Sequence, residues 1–93
     1  MTAVRRVSAR AAGQVQGVGF RFFCRDAAER CGISGWVRNL PSGEVELEAQ
    51  GASGDLDRFM EEVRKGFPGA RVDGLKTVEL PPEEGGREFE IRF

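Results

Sequence analysis

Histidine is absent from this sequence and cysteine is scarce. Its 93 residues include no histidine and two cysteines, Cys24 and Cys31. Without imidazole, the usual zinc ligand sets and histidine-based nucleophile dyads cannot be built. The cysteines are seven positions apart on one predicted helix, which places their Cα atoms about 10 Å from each other, beyond disulfide reach. We therefore expect both to be small core residues and any catalysis to work without imidazole.

The chain also lacks a long apolar run and an excess of either charge. No segment approaches the roughly 18 apolar residues of a membrane span, and the N-terminus has no apolar run of signal-peptide length. The 14 basic and 15 acidic side chains give a net charge of −1 and are scattered along the sequence. These features disfavour nucleic acid and membranes as partners. We expect one soluble, cytoplasmic, monomeric domain spanning residues 1–93.

A first helix is predicted over Phe20–Cys31. Gly32 supplies its stop, and its apolar side chains recur with helical spacing, namely Phe20, Phe23, Cys24, Ala27, Ala28 and Cys31. No Ser, Thr, Asp or Asn stands before this helix to cap it, and Arg21 lies in its first turn, where the helix dipole is positive. The free N–H groups at this end therefore need another partner.

The remaining elements are predicted from the alternation of apolar and polar residues and from residues typical of turns. Strands are predicted at Val4–Val15, Ile33–Asn39, Glu44–Gln50, Ala70–Leu80 and Arg87–Phe93, with a turn at Leu40–Gly43 and a second helix from the N-cap Ser53 to Lys65. A bulge is expected at Gly74. The glutamates of the third strand are expected to face water. The side chains expected to face the core include Trp36, Phe89, Ile91 and Phe93.

The order βαββαβ predicts an α+β sandwich, with two helices on one face of a mostly antiparallel sheet, which is the ferredoxin-like arrangement. In its split βαβ unit the first two strands run parallel. The end of the first strand, the start of the first helix and the end of the second strand then meet at one edge of the sheet. That edge would hold both the glycine loop and Asn39.

The loop before the first helix is a plausible anion cradle. Glycines let successive backbone N–H groups turn toward one point, and the uncapped helix adds its own donors. The planar fork of Arg21 suits two phosphate oxygens, and Asn39 beside such a cradle can hold a water. Each feature also has an ordinary explanation, because glycine turns before helices are common, a lone arginine is usually solvated and asparagine often ends a strand.

Two motifs carry a family resemblance. GQVQGVGFR (Gly13–Arg21) and CGISGWVRNLPSGEVELEAQG (Cys31–Gly51) resemble the acylphosphatases, small enzymes that hydrolyse carboxyl-phosphate mixed anhydrides, and the resemblance runs from about Val7 to Phe93. It implies that Arg21 and Asn39 are the catalytic pair. It also implies that the phosphate is held by backbone N–H groups of Gln16, Gly17, Val18, Gly19 and Phe20. The chain departs from the family at Gln14, where many members carry a basic residue, and at Leu40, where some carry threonine.

The resemblance further implies a small acyl phosphate as substrate, inorganic phosphate as a product, and neither cofactor nor metal. A carboxylate is a good leaving group that needs no general acid, so the missing histidine costs little. The cradle and Arg21 would take up transition-state charge, while Asn39 would place a water in line with the leaving carboxylate.

Two other functions fit the same fold. Similar domains begin the large carbamoyltransferases of hydrogenase maturation, so the chain could handle carbamoyl phosphate within a larger protein, although its end at Phe93 after a full set of elements favours independence. The second alternative function is a module that binds phosphate as a sensor and does not hydrolyse acyl phosphates. An RNA-binding version is disfavoured, because the central strands would expose glutamate, arginine and serine rather than aromatic side chains.

Overall fold

Strands and helices follow one another in the predicted order, and the last strand lies within the predicted segment Arg87–Phe93. The structure is a computed structural model that describes residues 3–93. Its elements are β1 (Val4–Gln14), α1 (Phe20–Cys31), β2 (Ser34–Asn39), β3 (Val45–Ala52), α2 (Ser53–Lys65), β4 (Arg71–Leu80) and β5 (Phe89–Arg92). In the described part of the chain, no helix is both long and apolar enough to cross a membrane.

All five strands form a single sheet in the order β4-β1-β3-β2-β5. β3 is antiparallel to both β1 and β2, so β1 and β2 run parallel to each other. β4 is antiparallel to β1, and β5 is parallel to β2. The helices cover one face of this sheet, which confirms the predicted ferredoxin-like α+β fold.

The core lies between the helices and the covered face of the sheet. α1 contributes Phe20, Cys24, Ala27 and Ala28, and α2 contributes Leu56, Phe59 and Val63. Alternate residues of the central strands face them, including Val7, Ala9, Ala11, Val37, Val45, Leu47 and Ala49. Burial of each large apolar side chain stabilises the fold by about 1.5–3 kcal/mol. The apolar periodicity that predicted α1 is therefore confirmed as a packing face.

The cysteines differ in their surroundings, although both are free thiols. Cys24 is fully buried, and this burial raises the pKa of its thiol to about 12. Cys31 is only partly buried, and its Sγ donates to Glu62 Oε2 at 3.4 Å. The predicted core position is thus confirmed for Cys24 and holds only in part for Cys31.

The start of α2 differs from the prediction. Ser53 is the first helical residue and not the N-cap, which is Ala52, and no side chain among residues 3–93 caps this helix. The Ser53 N–H donates to Ala3 O at 2.9 Å, and its Oγ accepts from Arg5 Nη1 at 3.1 Å. The capping prediction was wrong because β3 runs directly into the helix, where a carbonyl beside β1 already accepts the first N–H.

Two aromatic predictions also fail. Trp36 alternates with the buried Val37 and so lies on the face of the sheet without helices, where the guanidinium carbons of Arg92 and Arg38 are 4.7 and 5.2 Å from its ring centroid. Phe93 follows the last residue of β5 and is 96% exposed. Phe89 is buried and Ile91 is partly buried against the core, as predicted.

The predicted third-strand glutamates are on the uncovered face but are not simply solvated. Glu48 accepts from Arg6 Nη2 at 2.7 Å, and Glu46 lies 2.7 Å from Arg38 Nη2 and 3.6 Å from Arg10 Nη2. Cross-strand charge pairs of this kind contribute roughly 0.2–1 kcal/mol each. Ion pairs therefore organise the uncovered face.

The expected bulge is present one residue from its predicted position. Ala12 pairs with Gly74 and Gly13 pairs with Val72, so Asp73 is the extra residue of β4. A bulge increases local twist, and this one bends the β1–β4 ribbon where β1 approaches the glycine loop.

A close approach between β2 and β3 generates a stability prediction. Gly35 has φ +143°, and a Cβ built on it would lie 1.9 Å from Glu48 O. Gly35→Ala should lower the free energy of unfolding by about 2–4 kcal/mol, because both the backbone conformation and the contact disfavour a side chain. Urea denaturation would measure this.

The matched control is Gly74→Ala, another strand glycine, around which a Cβ meets nothing within 4 Å. Its stability should stay the same or rise by about 0.4–1 kcal/mol. Equal stability of the two variants would contradict this account of Gly35.

Candidate active site

The glycine loop between β1 and α1 turns tightly at two left-handed residues. Gly17 has φ +75° and Gly19 has φ +83°. A Cβ on either would meet nothing within 4 Å, so the backbone conformation rather than crowding requires glycine there. The buried Val15 anchors the start of the loop in the core. Left-handed glycines of this kind are typical of loops whose successive backbone N–H groups turn toward one point.

The start of α1 is uncapped, as the sequence predicts. Its N-cap is Gly19, and no side chain caps it. The first helical hydrogen bond runs from Phe23 N–H to Gly19 O at 3.0 Å. Within residues 3–93, no backbone N–H from Gln16 to Phe20 donates to an acceptor. These donors, together with the positive end of the helix dipole, form a set that favours an anion.

Arg21 extends from the first turn of α1 to the end of β5. Its Nη1 donates to Arg92 O at 3.0 Å, and its guanidinium carbon lies 4.6 Å from the centroid of the Phe93 ring. Most other arginines are paired with carboxylates, whereas Arg21 has no carboxylate within 4.0 Å in the described residues. Its positive charge is therefore not neutralised by a neighbouring acid.

Asn39 is the last residue of β2 and is exposed. It pairs with the buried Val45 of β3 and shares the parity of Val37, so it lies on the helix side of the sheet. A tight turn follows, in which Gly43 N–H donates to Leu40 O at 3.1 Å. The predicted turn and the predicted position of Asn39 at this edge are both confirmed.

β5 connects the two predicted catalytic side chains. Arg92, whose carbonyl accepts from Arg21, is paired with Arg38, the residue before Asn39. Neighbouring strands lie about 4.8 Å apart. The Arg21 guanidinium and Asn39 are consequently brought to the same corner of the sheet, beside the glycine loop.

Two contacts at this corner were not predicted from the sequence. The Gln16 carboxamide Nε2 donates to Leu40 O at 2.8 Å and to Glu44 O at 2.9 Å, which joins the glycine loop to the turn after Asn39. The Arg92 carbonyl and the Phe93 ring hold the Arg21 side chain. The sequence gives no sign of which backbone carbonyl will accept a hydrogen bond. A glutamine within a glycine loop shows only that its polar side chain needs a hydrogen-bond partner.

Comparisons with known proteins point to one family. The sequence model of the acylphosphatase family matches residues 7–91. The chain is 47% identical over 88 residues to the acylphosphatase of Rubrobacter xylanophilus, covering 95% of this chain and 80% of that protein. It is 44% identical over 87 residues to the acylphosphatase of Chlorobaculum tepidum, covering 94% and 95%.

A solved structure leads to the same family. The crystal structure of acylphosphatase from Bacillus subtilis superposes with a TM-score of 0.91 at 34% identity, covering 98% of this chain and 100% of that one. The order of elements, the glycine loop before α1 and the sequence matches are thus consistent with one another. The chain belongs to the acylphosphatase family, whose members are hydrolases that act on acyl phosphates.

Proposed function

We propose that Arg21 and Asn39 carry the acylphosphatase activity of this chain, and that the backbone N–H groups of Gln16, Gly17, Val18, Gly19 and Phe20 hold the substrate's phosphate. The reaction is hydrolysis of a carboxyl-phosphate mixed anhydride to a carboxylate and inorganic phosphate. The observation that carries this proposal is the meeting of unpaired loop N–H groups, an arginine without an acidic partner and Asn39 at one corner of the sheet.

The loop would bind the phosphoryl oxygens. Charge-assisted hydrogen bonds from backbone N–H groups are about twice as strong as neutral ones. They also need no reorganisation during the reaction, because the glycine conformations fix their directions. The α1 dipole adds roughly 0.3–1 kcal/mol for an anion at an exposed helix end. The loop therefore binds both the substrate and the phosphate product.

Arg21 would stabilise the charge that develops on the equatorial oxygens. Its Nη1 is held by Arg92 O, which leaves Nε and Nη2 for oxygens of the phosphoryl group. The exposed Phe93 ring lies 4.6 Å from the guanidinium carbon, within the range of a cation–π contact. A cation in the first turn of a helix is repelled by the positive end of the helix dipole. A phosphate bound between Arg21 and the loop offsets this repulsion.

Asn39 would hold the attacking water. A neutral amide both donates and accepts hydrogen bonds, so it can orient a water without becoming charged. Hydrolysis of an acyl phosphate needs the water in line with the leaving carboxylate, and phosphoryl transfer depends mainly on positioning and electrostatic stabilisation. The substrate's own phosphate oxygens are the acceptors for the proton of that water.

We also propose that the reaction needs no metal ion. The sequence has no histidine. Within residues 3–93, no group of three or more Cys, Asp or Glu side chains is arranged to hold a metal. The positive charges that a metal would otherwise supply come from Arg21 and the helix end. A carboxylate leaving group reduces the need for further activation.

The remaining proposals concern the state of the protein. We propose a single domain over residues 1–93 that acts as a monomer in the cytoplasm, on a small substrate, with no nucleic acid or membrane partner. One continuous core cluster supports the single domain. The free thiols suit a reducing compartment, and the large exposed apolar side chains are spread over different elements.

Phosphate titration tests the cradle. Inorganic phosphate added to the ¹⁵N-labelled protein should shift the backbone amide resonances from Gln16 to Phe20, because their N–H groups become donors to the anion. The Arg21→Ala variant should show weaker binding with shifts at the same amides. Shifts confined to the basic side chains of the uncovered face, such as Arg10 and Arg38, would contradict the proposed location.

Replacement of Arg21 tests the electrostatic role. Arg21→Ala should lower kcat/KM for benzoyl phosphate by about 10²–10³-fold, the usual effect of removing a transition-state donor. Arg21→Lys should recover only part of this loss, because an ammonium lacks the planar fork. Arg25→Ala is the matched control, one turn along the same helix, and should stay within about 2-fold of the wild type. Equal losses at the two positions would remove Arg21 from the site.

Replacement of Asn39 separates water positioning from phosphate binding. Asn39→Ala should lower kcat by about 10²-fold or more, while the inhibition constant of inorganic phosphate changes little. Asn39→Asp should weaken phosphate binding as well, since it adds a negative charge beside the anion. Thr77→Ala, at an exposed position of β4 away from this turn, serves as control. Full activity of Asn39→Ala would refute the assignment.

A further inference from the structure

We infer that the Gln16 side chain is a positioning residue for Asn39, because one carboxamide group joins the phosphate-binding loop to the turn that follows Asn39. This inference rests on the catalytic role proposed for Asn39. It assigns to Gln16 a task separate from that of its backbone N–H, which belongs to the cradle.

The geometry uses the full donor capacity of the amide. Nε2 of Gln16 donates to Leu40 O at 2.8 Å and to Glu44 O at 2.9 Å. A primary amide nitrogen has two N–H groups, so each carbonyl takes one. The glutamine is partly buried. Loss of its donors would leave two carbonyls of this turn without these partners.

Both carbonyls already take part in the turn. Leu40 O also accepts from Gly43 N–H at 3.1 Å, and Glu44 O also accepts from Leu40 N–H at 2.8 Å. Gln16 therefore binds the two oxygens that define the base of the turn. The peptide that follows Asn39 is fixed at its N–H by Glu44, and the next carbonyl is fixed by Gln16. These hydrogen bonds therefore set the direction of the backbone at Asn39, where β2 ends.

The Gln16 side chain also sets the distance between the phosphate-binding loop and the turn that follows Asn39. Gln16 begins the cradle, and the Leu40 carbonyl that its side chain binds belongs to the residue directly after Asn39. In-line attack tolerates little error in the position of the water, and a misplacement of 1 Å can cost about 10²-fold in rate. A bond between loop and turn is thus a direct means of holding phosphate and water in register.

Glutamine suits this task better than its close analogues. An ionised glutamate accepts only and would face two carbonyl oxygens. Methionine has a similar length but no donor, and asparagine is shorter by one methylene. Leu40 has no polar side chain to hold Asn39 itself, so the restraint on Asn39 comes from the opposite loop.

Kinetics of variants in two backgrounds test this inference. In the wild-type background, Gln16→Ala and Gln16→Glu should lower kcat for benzoyl phosphate by about 10–100-fold. For Gln16→Ala the inhibition constant of inorganic phosphate should change by less than about 3-fold, because the cradle N–H groups remain. Gln16→Glu should also weaken phosphate binding, since it adds a negative charge beside the anion. Gln14→Ala, an exposed glutamine two positions earlier, is the matched control and should stay within about 2-fold of the wild type. If the alanine variant fails to fold, Gln16→Met replaces it in the same measurements.

The Asn39→Ala background distinguishes positioning from a purely structural role. If Gln16 acts through Asn39, Gln16→Ala should lower kcat by less than about 2-fold further in that background, since contacting residues that act as a unit are not additive. An undiminished effect there, or an unchanged kcat in the wild-type background with lower thermal stability alone, would overturn the inference. Full activity of Asn39→Ala itself would instead refute the proposed function.

Discussion

The position of β3 between β1 and β2 is the constraint on which the site depends. Both neighbours pair with β3 antiparallel, so they run parallel to each other and end at the same edge of the sheet. Parallel strands cannot be joined by a tight turn, and α1 is the crossover that returns the chain. The glycine loop before α1 and the turn after β2 therefore face each other, close enough for Gln16 to bind both carbonyls of that turn.

The starts of the two helices show what distinguishes a candidate site from ordinary structure. No side chain in the described part of the sequence caps either helix, so the missing cap of α1 is not unusual in this protein. The first N–H of α2 has an acceptor in Ala3 O, whereas the N–H groups of the glycine loop have none within residues 3–93. Arg21 differs from most other arginines in a similar way, because no carboxylate of the described residues lies within 4.0 Å of it. Unpaired donors and an unpaired cation in one place favour an anionic ligand.

The local sequence pattern predicted some features of each helix and strand, whereas others depend on packing between distant segments. Alternation correctly placed Val37, Asn39 and the third-strand glutamates on their respective faces. The same alternation places Trp36 opposite Val37, on the face without helices, so the expectation that Trp36 faces the core disagreed with the strand pattern itself. Alternation could not show that β5 would end before Phe93. The prediction that Ser53 caps α2 failed because the first N–H of the helix already has an acceptor in Ala3 O, which is distant in the sequence. Capping preferences describe local partners only.

The sequence by itself determined the order of elements, the helical face of α1, the uncapped glycine loop, and the family motifs that point to Arg21 and Asn39. These features depend on residues close together in the chain. Only the tertiary structure decided that the Arg92 carbonyl holds Arg21 and that Gln16 joins the loop to the turn after Asn39. Those contacts link distant segments through backbone carbonyls, which every residue possesses. No residue pattern can therefore identify them before the strands are paired.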